Sequence, residues 1–297
     1  LLSWESIFVI QVPAVLAVGF ARDSRRAPVE PGPEGRVDVA PEIALGLLSA
    51  GLTGALFLLV VMLTEGWRLS PLEAGLVVSA MPLATLAVRP VGARIPDGAV
   101  KQAAGAILLA GGLGALGLLP GADAFWTIAP QALIGAGLAL SLPGLTDRAL
   151  AGRDPGGRRA AGTITARHLG VVAGIVVLTP IFSAELDDQY EAVTLSGTAL
   201  LLDAPLAPGA KVEIGEAVAE QIERADGRLP RVAAAFAEVE PEQGTEADQA
   251  ALERDLVSEV EKAATHAFSI SFLLAGGFAL LALAPIALAR SATRSVG

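Results

Sequence analysis

The sequence predicts an all-α protein of the membrane, and three observations carry that prediction. Seven stretches of about twenty residues are almost wholly apolar, the length a helix needs to cross a hydrocarbon core of ~30 Å. Hydrophobic residues make up 53% of the 297 and charged residues only 18%, a balance more apolar than the average of water-soluble domains. None of the seven stretches carries an acid in its middle third. Each must satisfy its own backbone hydrogen bonds in lipid, so helices are expected rather than open strands.

Taken in order, residues 1–21 form the first stretch, opening on LLSWESIFVIQVPAVLAVGF. Glu5 precedes its centre, Pro13 interrupts it and RDSRR follows, the reverse of the charge order in a secretory signal. Residues 22–41 are rich in Pro and charge and read as a cytoplasmic linker. Five apolar stretches fill 42–183, at about 42–63, 71–89, 102–120, 124–145 and 162–183, joined by short loops. The last membrane helix lies in 266–290, and 291–297 form a tail.

Between them, residues 184–265 are polar. The net charge of −10 belongs to this segment alone, which holds 19 acids and 6 bases, whereas the rest of the chain holds 12 acids and 15 bases. KVEIGEAVAEQIERAD (211–226) spaces Val218 and Ile222 four apart among acids, and ALERDLVSEVEKAA (251–264) does the same with Leu252, Leu256 and Val260. Both read as short amphipathic helices. The segment is expected to be a solvated acidic insertion, its helices packing on each other as a small cap; a ligand- or partner-binding domain is the alternative.

Orientation follows from charge. When the loops alternate sides, one set collects Arg22, Arg25, Arg26, Arg36, Arg94, Lys101, Arg148, Arg153, Arg158, Arg159, Arg290 and Arg294. The short loops of the other set hold only Arg68. The first set is therefore expected in the cytoplasm, with the acidic segment 184–265 outside. Trp4, Trp67 and Trp126 all fall at the outer ends of their stretches and are expected to form an aromatic belt. On this topology residues 1–21 run from outside to inside, so earlier spans must deliver them and the chain is expected to be a fragment. Of 21 basic residues only Lys101, Lys211 and Lys262 are lysine; with the abundance of Ala, Gly and Pro, this is the composition of a GC-rich bacterial gene. The expected location is the cytoplasmic membrane of a bacterium, as a multi-pass protein.

Several functions are unsupported by the residues. With no cysteine there is no disulfide and no thiolate ligand or nucleophile. No basic face for nucleic acid, no Walker-type phosphate loop and no His-rich metal pattern occurs; the histidines are His168 and His266. No enzymatic activity, metal or cofactor is expected.

SWESIFVIQVP (3–13) resembles the GWRWIFLINVP segment that opens the sixth helix of drug:proton antiporters of the major facilitator superfamily, with Glu5, Ser6 and Gln11 departing. SPLEAGLVVSAMP (70–82) is similar to that family's SPLQAG segment, TARHLGVVAGIVV (165–177) to its TxRQLGGALGVAV segment, and HAFSISFLLAGGFALLALAP to its last helix. The resemblance covers most of the chain except 184–265. It implies seven transmembrane helices: the sixth helix plus the six-helix carboxyl-terminal half of a major facilitator fold. Fourteen-span members carry two further helices where residues 21–41 stand, so a twelve-span arrangement is implied for the full protein.

Candidate site residues follow. VGARIPDGAVKQ (91–102) resembles a degenerate copy of the superfamily's G-x-L-A-D-R-x-G loop. There Gly92 would allow a tight turn, Arg94 adds charge, and Asp97 would favour a neighbouring helix amino terminus or pair with an Arg as a gate; Gly98 stands where the family has Arg, and a plain polar turn is the alternative. Arg167 and His168, the latter replacing the family's Gln, are candidates for substrate contact or proton coupling. Both would otherwise simply add positive charge at the inner face. Gly170 and Gly174 form a small-xxx-small face that would pack helices closely, within this half or against the other. Gln131 would face a substrate cavity or hydrogen-bond between helices. No acid lies deep in a span, so a proton-coupling carboxylate would have to reside in the other half.

The function expected from the resemblance is secondary active transport by alternating access, most simply proton-coupled export of amphipathic drugs or metabolites. Its partners would be the bilayer, a small-molecule substrate, protons and the amino-terminal half of the same protein. Import of an apolar metabolite is one alternative; a non-transporting receptor or scaffold acting through 184–265 is another.

Overall fold

The computed structural model describes residues 39–151, 158–225, 232–239 and 245–294. The stretch 1–21 with Trp4, most of the linker 22–41, the side chains of Arg153, Arg158, Arg290 and Arg294, and residues 295–297 lie outside the described residues. Within them the fold is all helix, with no strand among the described residues. Six helical segments are long and apolar enough to cross a bilayer. That is the character of a multi-pass membrane protein.

Helix α1, Ala40–Val61, runs on through a widened π-turn, Met62–Gly66. Arg68 then stops it by adopting a left-handed backbone, φ 55°. The next span is two helices, α2 (Pro71–Val78) and α3 (Ala80–Gly92), and its sequence explains both its start and its break. At the start Ser70 and Glu73 form a capping box: Ser70 Oγ accepts from the Glu73 amide at 3.3 Å, and the Ser70 amide donates to Glu73 Oε2 at 2.8 Å. At the break, Pro82 has no N–H for the carbonyl of Val78, four residues back. Helices α4 (Ala99–Leu116) and α5 (Ala124–Leu150) follow as an antiparallel pair, Asp123 capping α5 through the Phe125 amide at 2.8 Å.

Helix α6, Arg158–Asp203, is 46 residues long. It passes Ser183, where the apolar stretch ends, without interruption, and stops only before Pro205. Two shorter helices, α7 (Pro208–Ala225) and α8 (Val232–Glu238), precede α9, Glu246–Leu281. Residues 251–264 are thus the first part of the final span's own helix, not a separate short one. Pro285 removes the donor for the Leu281 carbonyl, and the chain restarts as α10, Leu283–Arg294.

Two cores result. The bundle core gathers Leu45, Leu58, Leu63, Leu109, Ile134 and Leu145 with Phe268 and Phe272, and Phe182 stacks on Phe268 at 4.3 Å between ring centres. A second core belongs to the head formed by α7, α8 and the extensions of α6 and α9: Leu206, Ile214, Val232, Phe236, Val239, Leu252 and Leu256. The acidic segment is therefore folded in its described part, its apolar spacing buried inward as the amphipathic pattern requires. Buried Gln249 donates to the Val239 carbonyl at 3.1 Å and ties α8 to α9.

Within the bundle, backbones approach until almost nothing lies between them. A Cβ on Gly170 would sit 2.0 Å from the Gly46 carbonyl, and one on Gly174 2.2 Å from that of Ala50. Gly105 and Gly137 make the same approach between α4 and α5, at 2.7 and 2.5 Å. Polar side chains add hydrogen bonds across helices: Thr85 to the Gly135 carbonyl at 3.1 Å, Ser271 to that of Leu178 at 3.4 Å, and Ser269 to that of Gly117. Trp67 departs from the expected belt. It is 7% exposed, and its indole N–H donates to Thr265 Oγ1 at 2.9 Å, because a hydroxyl within the bundle satisfies it better than the surface does. Trp126 is exposed, as a belt residue would be.

Candidate functional site

The polar residues singled out above fall at two places. The first is the end of the bundle opposite the head, where α3, α4 and α5 meet. Gly92 is the last helical residue of α3, and its missing side chain serves packing: a Cβ there would lie 3.1 Å from Leu140 of α5. Arg94 is exposed in the turn that follows. Asp97 immediately precedes Gly98, the residue that opens α4, so its carboxylate lies at the positive end of that helix. Its ionic partner is Lys101, one turn into α4, at 2.7 Å. No arginine of another helix takes that place among the described ion pairs.

The pair is unequal. The Lys101 side chain is 7% exposed and that of Asp97 59%. Lys101 also donates to the Ile95 carbonyl at 3.2 Å, so the buried ammonium is held by the turn that Asp97 closes. A buried cation stripped of one partner is costly, which makes this contact a brace for the α3–α4 turn. Beside it, fully buried Gln102 accepts from Arg148 Nη1 of α5 at 2.9 Å. The Gln102 amide nitrogen has no partner among the described residues and faces Gly144; a Cβ there would stand 2.8 Å from it and 3.3 Å from Asp97 Oδ1. Asp97, Gln102, Asp147 and Arg148 line an open cleft of about 490 Å³. Lys101, Gln102 and Arg148 were not among the residues expected to act. Lys101 follows Asp97 at helical spacing, a signal open to sequence reading; the Arg148–Gln102 contact spans 46 positions and left none.

The second place is the middle of the bundle. Gln131 on α5 is fully buried and donates to Thr127 Oγ1, one turn earlier, at 3.0 Å. Thr127 passes its own hydrogen to the Ala124 carbonyl at 2.7 Å. The Gln131 carbonyl oxygen has no partner among the described residues. Its neighbours on α5 are packed hard: Pro130 and Ile134 lie against Gly112 of α4, and Gly135 against the Met81 carbonyl of α3. Gln131 thus offers an orphaned acceptor inside a close-packed wall.

Arg167 and His168 lie on the exposed face of α6, and His168 Nδ1 is 2.8 Å from the Ile164 carbonyl of its own helix. The structure does not bring them to Gln131 or to the Asp97 cluster. Gly170 and Gly174 face the opposite way, into α1, where Gly46, Ala50 and Gly54 repeat the same four-residue spacing. Among the described residues no three His, Asp or Glu side chains gather in a manner that could hold a metal ion. Compared with models of known protein families and with curated proteins, the sequence matches none.

Proposed function

We propose that the chain is one half of a secondary transporter of the major facilitator type, exporting amphipathic organic compounds in exchange for protons by alternating access. The observation that carries this reading is a packing symmetry. Helices α1, α2–α3 and α4 form one set of three spans; α5, α6 and α9–α10 form the next, threaded in the opposite direction. Exchanging the sets maps the contact of α1 with α6 onto that of α5 with α3, and the contact of α4 with α5 onto that of α9 with α1. The contacts α1–α5 and α4–α9 map onto themselves, whereas that of α6 with α9 has no counterpart of its kind between α2–α3 and α4. Inverted three-helix repeats of this kind are the building plan of the halves of such transporters.

Exposure follows the same symmetry. The equivalent spans α2–α3 and α6 are buried over 11% and 17% of their apolar windows, against 44% to 56% for the other four. On this reading their bare faces, with Leu76, Leu83, Leu169 and Val176 exposed, meet a second six-helix half across the transport path. Arg167 and His168 stand on one of those faces. The Asp97–Lys101 brace and the Gln102–Arg148 contact would keep α3, α4 and α5 together as one unit at the inner end while this half moves against the other. The arginine-rich turns lie in the cytoplasm of a bacterial cell and the acidic head outside.

Everted vesicles from cells expressing the gene test the transport reading. Energised vesicles should accumulate amphipathic dyes, and a protonophore should abolish the accumulation. Uptake equal to that of control vesicles and indifferent to the protonophore would overturn it. Sidedness is tested separately, since the chain has no cysteine of its own. In intact cells Glu213→Cys should react with an impermeant maleimide and Ala93→Cys should not; the converse pattern would invert the topology.

A further inference from the structure

The head holds a half-open cavity of about 190 Å³ between α6, α7 and α9, walled by Val193, Leu201, Val218, Ile222, Leu256 and Val260. Polar side chains in the wall turn back on their own helix: Gln189 donates to Glu185 at 3.3 Å, and Thr198 to the Thr194 carbonyl at 2.7 Å. The interior therefore offers an occupant close apolar contact and little hydrogen-bond direction. Two glycines border the space. A Cβ on Gly197 of α6 would lie 3.3 Å from the tip of Leu256, and one on Gly215 of α7 3.3 Å from the tip of Leu201. Glycine is the poorest non-proline residue for a helix interior. Both glycines line the cavity with leucine tips already close against them, so a larger side chain at either would crowd the space.

Size and charge restrict the occupant. An apolar cavity of ~150 Å³ accommodates a benzene ring. On that scale this one holds a single ring or about seven chain carbons, too little for both chains of a bilayer lipid. Acids flank the wall on every helix: Asp187 and Asp188 beside Leu186, Glu220 and Glu223 beside Ile222, Glu259 and Glu261 beside Val260. Of the nearby bases, Arg224 is engaged by Glu220 and Glu238, and Lys262 lies 4.0 Å from Glu259. Such a field repels carboxylates and sulfates and tolerates neutral or cationic head groups.

We propose that the head is a binding site for a small amphiphile, whose ring or short alkyl chain occupies this cavity while its uncharged or cationic group remains at the acidic surface. Leu186 and Ala264 line the cavity where α6 and α9 emerge from their apolar stretches, so the site lies next to the region where such molecules concentrate. Its walls, as described, come from the head, and the proposal stands independently of transport by the bundle.

The test is photolabelling of the full chain in lipid nanodiscs with a diazirine analogue of octanol, the label being located by peptide mass spectrometry. Saturable labelling is expected in residues 186–201, 215–222 and 256–264. Octylammonium should compete at least about tenfold better than octanoate. Gly215→Leu should abolish head labelling while the bundle peptide 99–116 labels as before. Val260→Thr, which keeps the side-chain volume, should weaken head labelling several-fold; it decides the matter if hydrogen exchange shows the Gly215→Leu head to be unfolded. Labelling of the head that does not saturate, that survives both substitutions, or that octanoate displaces as well as octylammonium does would overturn the proposal.

Discussion

Helix α6 belongs to two regions, and on either side of Ser183 it meets its neighbours in different ways. In the bundle, Gly170 and Gly174 let its backbone touch that of α1, with no side chain between. In the head, Gly197 meets only the tip of Leu256, and the space is filled by Leu, Ile, Val and Phe side chains. The difference follows from the surroundings. Lipid is as apolar as leucine, so helices within it gain little by hiding leucine from the solvent and gain most by close backbone contact. In water, burying apolar side chains is itself the driving force, at ~25 cal/mol per Å². What lies between two helices thus records which solvent they fold in.

The comparison can be broken most sharply at Gly170. Gly170→Leu should destabilise the protein by about 3 kcal/mol or more, as strain of overpacking against a backbone that cannot yield. The readout is loss of a monodisperse elution peak, whereas Gly277→Leu, with nothing within 4 Å, should elute as the wild type does. Equal behaviour of the two would remove the distinction drawn for the bundle. Next in size, Phe236→Ala should cost the head about 3–5 kcal/mol. Hydrogen exchange should then accelerate in α7 and α8 and stay slow in α4 and α5. Exchange that quickens in both regions together would make them one cooperative unit.

A smaller effect, about 1 kcal/mol, is expected for Thr265→Val, which takes from buried Trp67 its hydrogen-bond acceptor. It should appear as a shift in tryptophan emission. Smallest is Arg224→Ala. The Glu238 carboxylate, with Glu220 beside it, raises the guanidinium above its ordinary value, but the group is exposed. A slight drop in melting temperature that fades with added salt should follow in thermal melts.

The spans were legible in the sequence because apolar length is a local property. So was the start of α2, where SPLE encodes a capping box; part of what resembles a family motif at 70–73 is the requirement for starting a helix after a proline-marked turn. Helix ends were harder to read. The polarity change at residue 184 looks like the end of a helix, yet it marks a change of solvent. The sequence from Glu185 to Asp203 contains no proline, and the backbone continues until Pro205 denies the Leu201 carbonyl its donor. The same holds for Glu246–Leu281, which the apolar pattern alone starts some twenty residues late. The acidic head's apolar spacing was visible at Leu252, Leu256 and Val218, but not the partners that make it a core.

Site residues were least legible, because their geometry depends on distant neighbours. Nothing near Trp67 announces Thr265, 198 positions away, which draws the ring inward. Nothing near Gln102 announces Arg148. Conversely, the Gly170–Gly174 spacing foretold a close approach without naming the helix approached, and Gly46, Ala50 and Gly54 supply it.

The unbroken course of α6 also has a mechanical side. At 1.5 Å per residue its 46 residues make a rod of ~69 Å, of which the last ~30 Å stand beyond Ser183. Pro180 sits just below that point, where a helix bends most readily. A bend of ~20° there, the threshold at which such kinks are counted, would swing the far tip sideways by ~10 Å. Leverage of that kind turns a slight tilt among the buried helices into a displacement wide enough for a probe on the protein's far end to register.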